Sequence, residues 1–265
     1  MNEADFLPDN DRDVSSVEDT KAEDNSEQLE KLLKDCFFNS QEEFTHMDLK
    51  ELAILEKENR FKRNDWTRGD ETERCNLMKK LETHLLEKNE EERVKFWGAN
   101  KDEYRDYYGR SEEKNSKQSF ETLKHGILNE IIANEILKKL PEFKFKMTTS
   151  EIDIDYKIDI IGFSNDNKIV LAIQVKQGSK FKQEKIQTVQ EINKPQEDNK
   201  EKNDFFDGCS RLKDELNFNS KDVVLKNLWI TIPAREKIGE GGKCSYDLQD
   251  IVIEDIKETL EEENK

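Results

Sequence analysis

Residues 159–176 read DIIGFSNDNKIVLAIQVK, and this stretch decides the predicted fold. Two apolar runs flank the segment Ser-Asn-Asp-Asn, a composition typical of a turn between strands. We predict that residues 151–163 form one long alternating strand and that residues 168–176 form its hairpin partner. The hairpin would then be the centre of a sheet.

The polar side chains of this hairpin are expected to converge at one edge of the sheet. Side chains two apart in a strand share a face, so Asp153, Asp155 and Asp159 would point away from the apolar residues of the first strand. Gln174 and Lys176 would point away from those of the second strand. One face would be core, and the other would carry carboxylates, an amide and an ammonium group.

The segments around the hairpin alternate between helical and strand patterns. In chain order they predict a helix, three strands, a helix and a strand, which is an α/β arrangement. The segments are a helix at 119–140, a strand at 143–147, the hairpin, a helix at 204–216, a strand at 223–232, and a strand or short helix beginning at 251.

The hairpin carries the residue types that bind Mg²⁺, which takes oxygen ligands and few carboxylates. Asp159 is the expected first ligand. Gln174 offers a carbonyl oxygen, and the backbone carbonyl of Val175 could also coordinate. Lys176 could orient an attacking water or stabilise the charge that develops on a phosphate. This set of residues suits phosphodiester hydrolysis.

A second carboxylate is expected from the helix before the first strand. Gly126 and Glu130 are four residues apart and therefore lie on one helix face. Glu130 is the candidate ligand. Glycine inside a helix costs about 1 kcal/mol relative to alanine, so Gly126 indicates a close approach there by substrate or by a neighbouring strand.

Three short motifs, GILNE at 126–130, DIIG at 159–162 and QVK at 174–176, together resemble the PD-(D/E)XK nuclease superfamily. The glutamine is similar to the variant found in Mrr-type restriction endonucleases, and the helix motif to that of Holliday-junction resolvases. The sequence departs from the family pattern at Ile158, which stands where the name-giving proline would be.

The resemblance covers roughly residues 118–232. It implies a restriction-endonuclease-like α-β-β-β-α-β core with a mixed sheet, preceded here by a helical region. It also implies dependence on Mg²⁺, with Mn²⁺ as a substitute, and cleavage of DNA.

A basic run follows the hairpin. Lys180, Lys182 and Lys185 could contact phosphates and position a duplex, or could be solvated loop lysines. The sequence alone does not decide whether these lysines bind a phosphate backbone or are exposed to solvent.

The net charge of −17 is concentrated at the two ends of the chain. Residues 1–30 carry −9 and residues 247–265 carry −6, which leaves the middle near neutral. A near-neutral middle with local basic clusters can bind phosphates, because a ligand responds to the local field. The four cysteines have no metal-binding spacing, and buried free thiols are expected.

We expect four regions: a disordered acidic tail at 1–26, a helical region of unknown role at 27–115, the nuclease-like domain at 116–246 and an acidic segment at 247–265. The helical region could mediate a homodimer or contact a partner subunit. No apolar stretch is long enough to span a bilayer, so a cytoplasmic protein is expected.

Two alternatives to a DNA endonuclease stay open from the sequence. The first is an inactive member of the same fold that binds nucleic acid or protein. The second is an acidic helical adaptor or DNA mimic whose charged segments bind a basic partner.

Overall fold

The computed structural model describes residues 33–39, 42–61, 65–109, 113–166, 168–178, 188–218, 222–232, 240–243 and 245–261. Within these ranges the chain forms seven α-helices and a five-stranded mixed sheet, which confirms the predicted α/β class. The helices are α1 His46–Phe61, α2 Arg68–Leu86, α3 Glu90–Tyr108, α4 Glu113–Leu137, α5 Ser150–Tyr156, α6 Lys200–Glu215 and α7 Tyr246–Glu261. The strands are β1 Phe143–Met147, β2 Ile160–Ser164, β3 Ile169–Gln177, β4 Val189–Glu191 and β5 Val224–Ile232.

The sheet has the strand order β1-β2-β3-β5-β4. Strands β2 and β3 pair antiparallel, as the predicted hairpin requires, and β1 pairs antiparallel with β2. The chain then crosses through α6 and returns as β5, which lies parallel to β3. The short strand β4 pairs antiparallel with β5 at the far edge. The sequence did not predict this edge strand.

The prediction of one long strand over residues 151–163 is wrong at its first half. Residues 150–156 form α5, and only Ile160–Ser164 belongs to the sheet. The Thr149 side chain caps the helix by accepting from the Ile152 backbone N–H at 3.4 Å. Lys157 ends the helix in a left-handed conformation, with φ 59°. Alternating Ile and Asp residues resemble a strand, but the capped turn decides the local structure.

Helices cover both faces of the sheet, so the expectation of one core face and one acidic face is also wrong. Residues of α4 and α7 pack on one face against Ile173 and Val175. Residues of α5 and α6 pack on the other face against Val170 and Ala172. Of the three acids assigned to the strand face, only Asp159 lies at the end of a strand, and Asp153 and Asp155 belong to α5.

Helix α4 belongs to two hydrophobic cores. Its first half, including Phe120 and Ile127, packs with α1, α2 and α3. Its second half, including Ile132 and Ile136, packs on the sheet. Glu130 lies where the two cores meet.

The C-terminal acidic segment forms α7 as far as Glu261, and its Leu248, Val252 and Ile256 are buried against the sheet. Among the described cysteines, Cys36, Cys75 and Cys209 are buried free thiols, as predicted, and Cys244 lies outside the described residues. No helix in the ranges given above has both the length and the apolar character to cross a membrane.

Candidate functional site

Asp159 lies immediately before β2 and faces the end of β3. Its Oδ2 accepts the backbone N–H of Val175 at 2.6 Å and the side-chain amide of Gln174 at 2.5 Å. Its own backbone N–H donates to Ile173 O at 2.9 Å, which fixes the register. The side chain is only 4% exposed. The antiparallel pairing of β2 with β3 therefore brings together three residues that the sequence singled out.

Glu130 and Gly126 line the same cavity as Asp159 and Gln174. They do so from α4, one helical turn apart, as the spacing predicts. A Cβ on Gly126 would have no atom within 4 Å, so no neighbour in the described structure requires glycine at this position. The predicted close approach of a strand is absent there, and the space in front of Gly126 is part of the cavity.

Lys176 lines this cavity from the end of β3. Its Nζ lies 6.0 Å from the centre of the Trp229 ring on the neighbouring strand β5. The half-exposed side chain is thus held at the mouth of the cavity by an aromatic face. Lys180, Lys182 and Lys185 fall outside the described residues.

Helix α2 supplies two charged residues that sequence reasoning missed. Lys79 and Glu82 are 2% and 1% exposed, although both belong to the helical region that was given no chemistry. Lys79 Nζ forms an ion pair with Asp153 Oδ2 of α5 at 3.0 Å. Cys75, one turn earlier on α2, contacts the same oxygen through its thiol at 3.4 Å.

Asp153 therefore reaches the site from a helix rather than from a strand face. Asp155 does not reach it: its carboxylate pairs with Arg68 at the surface. The prediction that Asp153 and Asp155 share a strand face with Asp159 is therefore wrong. The two residues lie in a helix, which rotates each successive side chain by about 100°, so they point in different directions.

Glu82, Glu130, Asp153 and Asp159 form a cluster of four carboxyl groups around the ammonium of Lys79. Asp153 is partly exposed, and the pKa values of the other three carboxyl groups are raised. Burial raises the pKa of Glu82 to about 7. Burial also raises the pKa of Glu130 well above its usual range, and the Glu82 carboxylate raises it further. The pKa of Asp159 is also raised well above its usual range, by burial first and then by the charges of Glu130 and Asp153.

The ammonium of Lys79 is the counter-charge of this cluster. Burial on its own would lower the pKa of Lys79, but the carboxylates of Asp153, Glu130 and Glu82 outweigh burial and raise it. Lys79 therefore carries its positive charge at neutral pH, and it neutralises one carboxylate of the four.

The cavity at the cluster has a volume of about 370 Å³. Three other cavities, of about 590, 510 and 400 Å³, are larger. Their walls contain none of the carboxyl groups whose pKa is raised well above its usual range. We assign the chemistry to the smaller cavity, because strongly perturbed titratable groups concentrate at functional sites and volume alone does not mark one.

The donor set at this cavity fits a hard divalent cation. The available ligands are carboxylate, amide and backbone oxygens, and burial raises the pKa of the Cys75 thiol to about 12, so it supplies no thiolate. Both Glu82 oxygens are buried and accept no hydrogen bond from an N–H or O–H donor. Within the described ranges, no three His, Cys, Asp or Glu side chains are already spaced around one ion, so an ion would have to draw its ligands together.

Comparison of the chain with protein-family models, with curated proteins and with solved structures finds no match. The assignment of this site therefore depends on its own geometry and charge.

Proposed function

We propose that the chain is a metal-dependent endonuclease that hydrolyses phosphodiester bonds in DNA. The observation that carries the proposal is the convergence of Glu130, Asp159, Gln174 and Lys176 on one cavity from α4, β2 and β3. The order of elements supports it: apart from α5 between β1 and β2 and β4 between β3 and α6, the chain follows the α-β-β-β-α-β succession with a mixed sheet that the resemblance to PD-(D/E)XK nucleases implies.

Glu130 and Asp159 would hold the ion, with the carbonyl oxygens of Gln174 and Val175 as further ligands. In the structure the Gln174 amide N–H₂ donates to Asp159, which leaves its carbonyl oxygen turned away from that carboxylate. A bound Mg²⁺ or Mn²⁺ would lower the pKa of a ligated water and offset phosphate charge.

The cations at the cavity wall suit a polyanionic substrate. Arg74, Lys157 and Lys176 all line the cavity. Lys176 would place its positive charge beside the scissile phosphate and stabilise the charge that develops on the oxygens. Four carboxyl groups line the same wall, so a bound divalent ion would be needed to make the local field favourable for a phosphate.

The test is cleavage of supercoiled plasmid and of single-stranded DNA and RNA by the purified chain in Mg²⁺, Mn²⁺ or EDTA. We expect DNA cleavage with either metal and none in EDTA. Asp159→Ala and Lys176→Ala should each lower the cleavage rate by roughly 100-fold or more. Asp207→Ala and Lys138→Ala, two exposed residues away from the cavity, serve as matched controls and should cleave normally. Equal cleavage by all four variants would refute the assignment.

A second candidate is an inactive member of the same fold that binds nucleic acid or a protein. The observation that favours it is the amide at position 174, which makes the site one charge poorer than an acid there would, together with the lack of preformed ligand spacing among the described residues. DNA binding without cleavage by the unmodified chain in either metal would favour this candidate.

A further inference from the structure

Helix α2 lies outside the α4-β1-β2-β3-α6-β5 unit, yet it delivers a carboxylate to the same cluster. Glu82 lies within hydrogen-bonding range of the Glu130 carboxyl, and the negative charge of Asp159 is close enough to raise the pKa of Glu82. Cys75 and Lys79 lie on the same face of α2 as Glu82, because Lys79 follows Cys75 by four residues and Glu82 follows Lys79 by three. The helical region is therefore part of the wall of the site.

Glu82 has no protein donor to satisfy it. Its two oxygens are buried and receive no N–H or O–H hydrogen bond. A buried carboxylate without donors is strongly unfavourable, by several kcal/mol in an apolar setting, and is normally paired or bound to metal. Sharing a proton with Glu130 would satisfy one oxygen of Glu82 and leave its other oxygen without a partner.

The charge of the cluster points in the same direction. Lys79 is already engaged with Asp153 at 3.0 Å. The charge of Lys79 also acts on Glu82, Glu130 and Asp159, but it is one ammonium group facing four carboxyl groups among the described residues of the cluster. A divalent ion would offset two further negative charges and give the unpartnered oxygens of Glu82 a ligand that Glu130 could share.

We propose that Glu82 is a direct metal ligand, supplied by α2 and acting together with Glu130. The ion is a hard divalent cation of the Mg²⁺ or Mn²⁺ type. The inference uses the site of the proposed function, but it concerns binding and does not require cleavage. It makes the helical region an essential part of the metal centre.

The experiment compares Mn²⁺ binding, by titration calorimetry, and melting temperature in EDTA and in Mn²⁺ for the full chain and for Glu82→Gln. Glutamine keeps the shape and removes the charge. We expect the variant to melt higher than the parent in EDTA, to lose the stabilisation by Mn²⁺, and to bind Mn²⁺ at least about tenfold more weakly. Glu87→Gln, at the exposed C-terminal end of α2, should match the parent in all three measurements.

Glu82→Asp provides a second variant, which retains the charge but withdraws it by one methylene group. It should fold and bind Mn²⁺ more weakly than the parent. Unchanged Mn²⁺ affinity in Glu82→Gln would overturn the inference, as would a parent chain that binds no Mn²⁺. If Glu82→Gln loses Mn²⁺ binding while the parent binds it and cuts no DNA, the ligand assignment stands and the proposed nuclease function fails. If Glu82→Gln cuts DNA with normal metal dependence, the proposed nuclease function stands and the ligand assignment of Glu82 fails.

Discussion

Glu82 gives the metal-free protein a specific dependence on pH. Its pKa is raised by burial from 4.5 to about 7, and Glu130, Asp153, Asp159 and Lys79 face it from α4, α5, β2 and its own helix. Between those two pKa values the folded protein binds a proton that the unfolded chain has released. The free energy of unfolding therefore falls as pH rises through this window, and the loss is complete above the folded pKa.

We expect the ionisation of Glu82 to lower the free energy of unfolding by on the order of 3 kcal/mol between about pH 5 and about pH 8, since each pKa unit corresponds to about 1.4 kcal/mol. Urea unfolding in EDTA at the two pH values measures this for the parent and for Glu82→Gln. The parent should lose more stability than the variant by about that amount. Identical pH dependence in the two proteins would contradict the prediction.

The residues of the β2–β3 hairpin were accessible from sequence, whereas those of α2 were not. Asp159, Gln174 and Lys176 lie on strands that pair with each other, so their proximity follows from periodicity alone. Cys75, Lys79 and Glu82 lie on the side of α2 opposite its Leu77, Leu81 and Leu85 stripe. Charged residues opposite an apolar stripe normally face water. Only the packing of α4 and α5 against that side shows that this helix is buried on both sides.

At the scale of elements, the position of α5 depends on a close contact with α6. A Cβ on Gly208 of α6 would lie 2.2 Å from the backbone oxygen of Tyr156, the last residue of α5. Backbone cannot move aside as a flexible side chain can. Gly208 therefore sets the distance between the two helices, and with it the position of Asp153.

We expect Gly208→Ala to lower the free energy of unfolding by about 1 to 3 kcal/mol, the usual range for overpacking. Gly98→Ala is the matched control, because a Cβ there has no atom within 4 Å and the position is inside the exposed side of α3. That variant should gain about 1 kcal/mol from helix propensity. Urea unfolding followed by circular dichroism measures both, and a Gly208→Ala variant as stable as the parent would show that the helices separate without cost.

The strands that were predicted correctly and helix α5, which was predicted as a strand, differ in what decides their structure. Strands β3 and β5 are largely apolar runs and β1 alternates Phe with Lys, and the sequence places the ends of all three within about two residues. Helix α5 alternates apolar and acidic residues over seven positions, which fits a strand as well as a helix. The cap at Thr149 and the contacts of Ile152 and Tyr156 with the core below α6 decide in favour of the helix. A segment this short contains too little periodicity to distinguish the two.

At the scale of the whole molecule, the distribution of charge predicts how the proposed DNA binding would respond to salt. Residues 1–30 contribute −9 of the net −17. Removing them should strengthen nonspecific DNA binding by roughly tenfold at low ionic strength, and the difference should shrink as salt screens the charges. Fluorescence anisotropy with a labelled duplex over a salt series measures this effect.

A variant that keeps these residues but replaces their eleven acids by Asn and Gln separates charge from length. It should behave like the deletion. Binding equal to that of the parent chain at low salt, in either variant, would mean that the acidic segment does not repel DNA.

The burial of α4 in both cores has a consequence for protein engineering. A fragment that begins at Glu113 would keep Glu130 and Asp159 but would expose Phe120, Leu123 and Ile127, which the first three helices cover. It would also lack Glu82 and Lys79. The smallest unit that could be grafted or fused with its site intact therefore begins before α1, since Leu33, Cys36 and Phe37 also pack in the sheet core, although the motifs of the proposed nuclease begin only at Gly126.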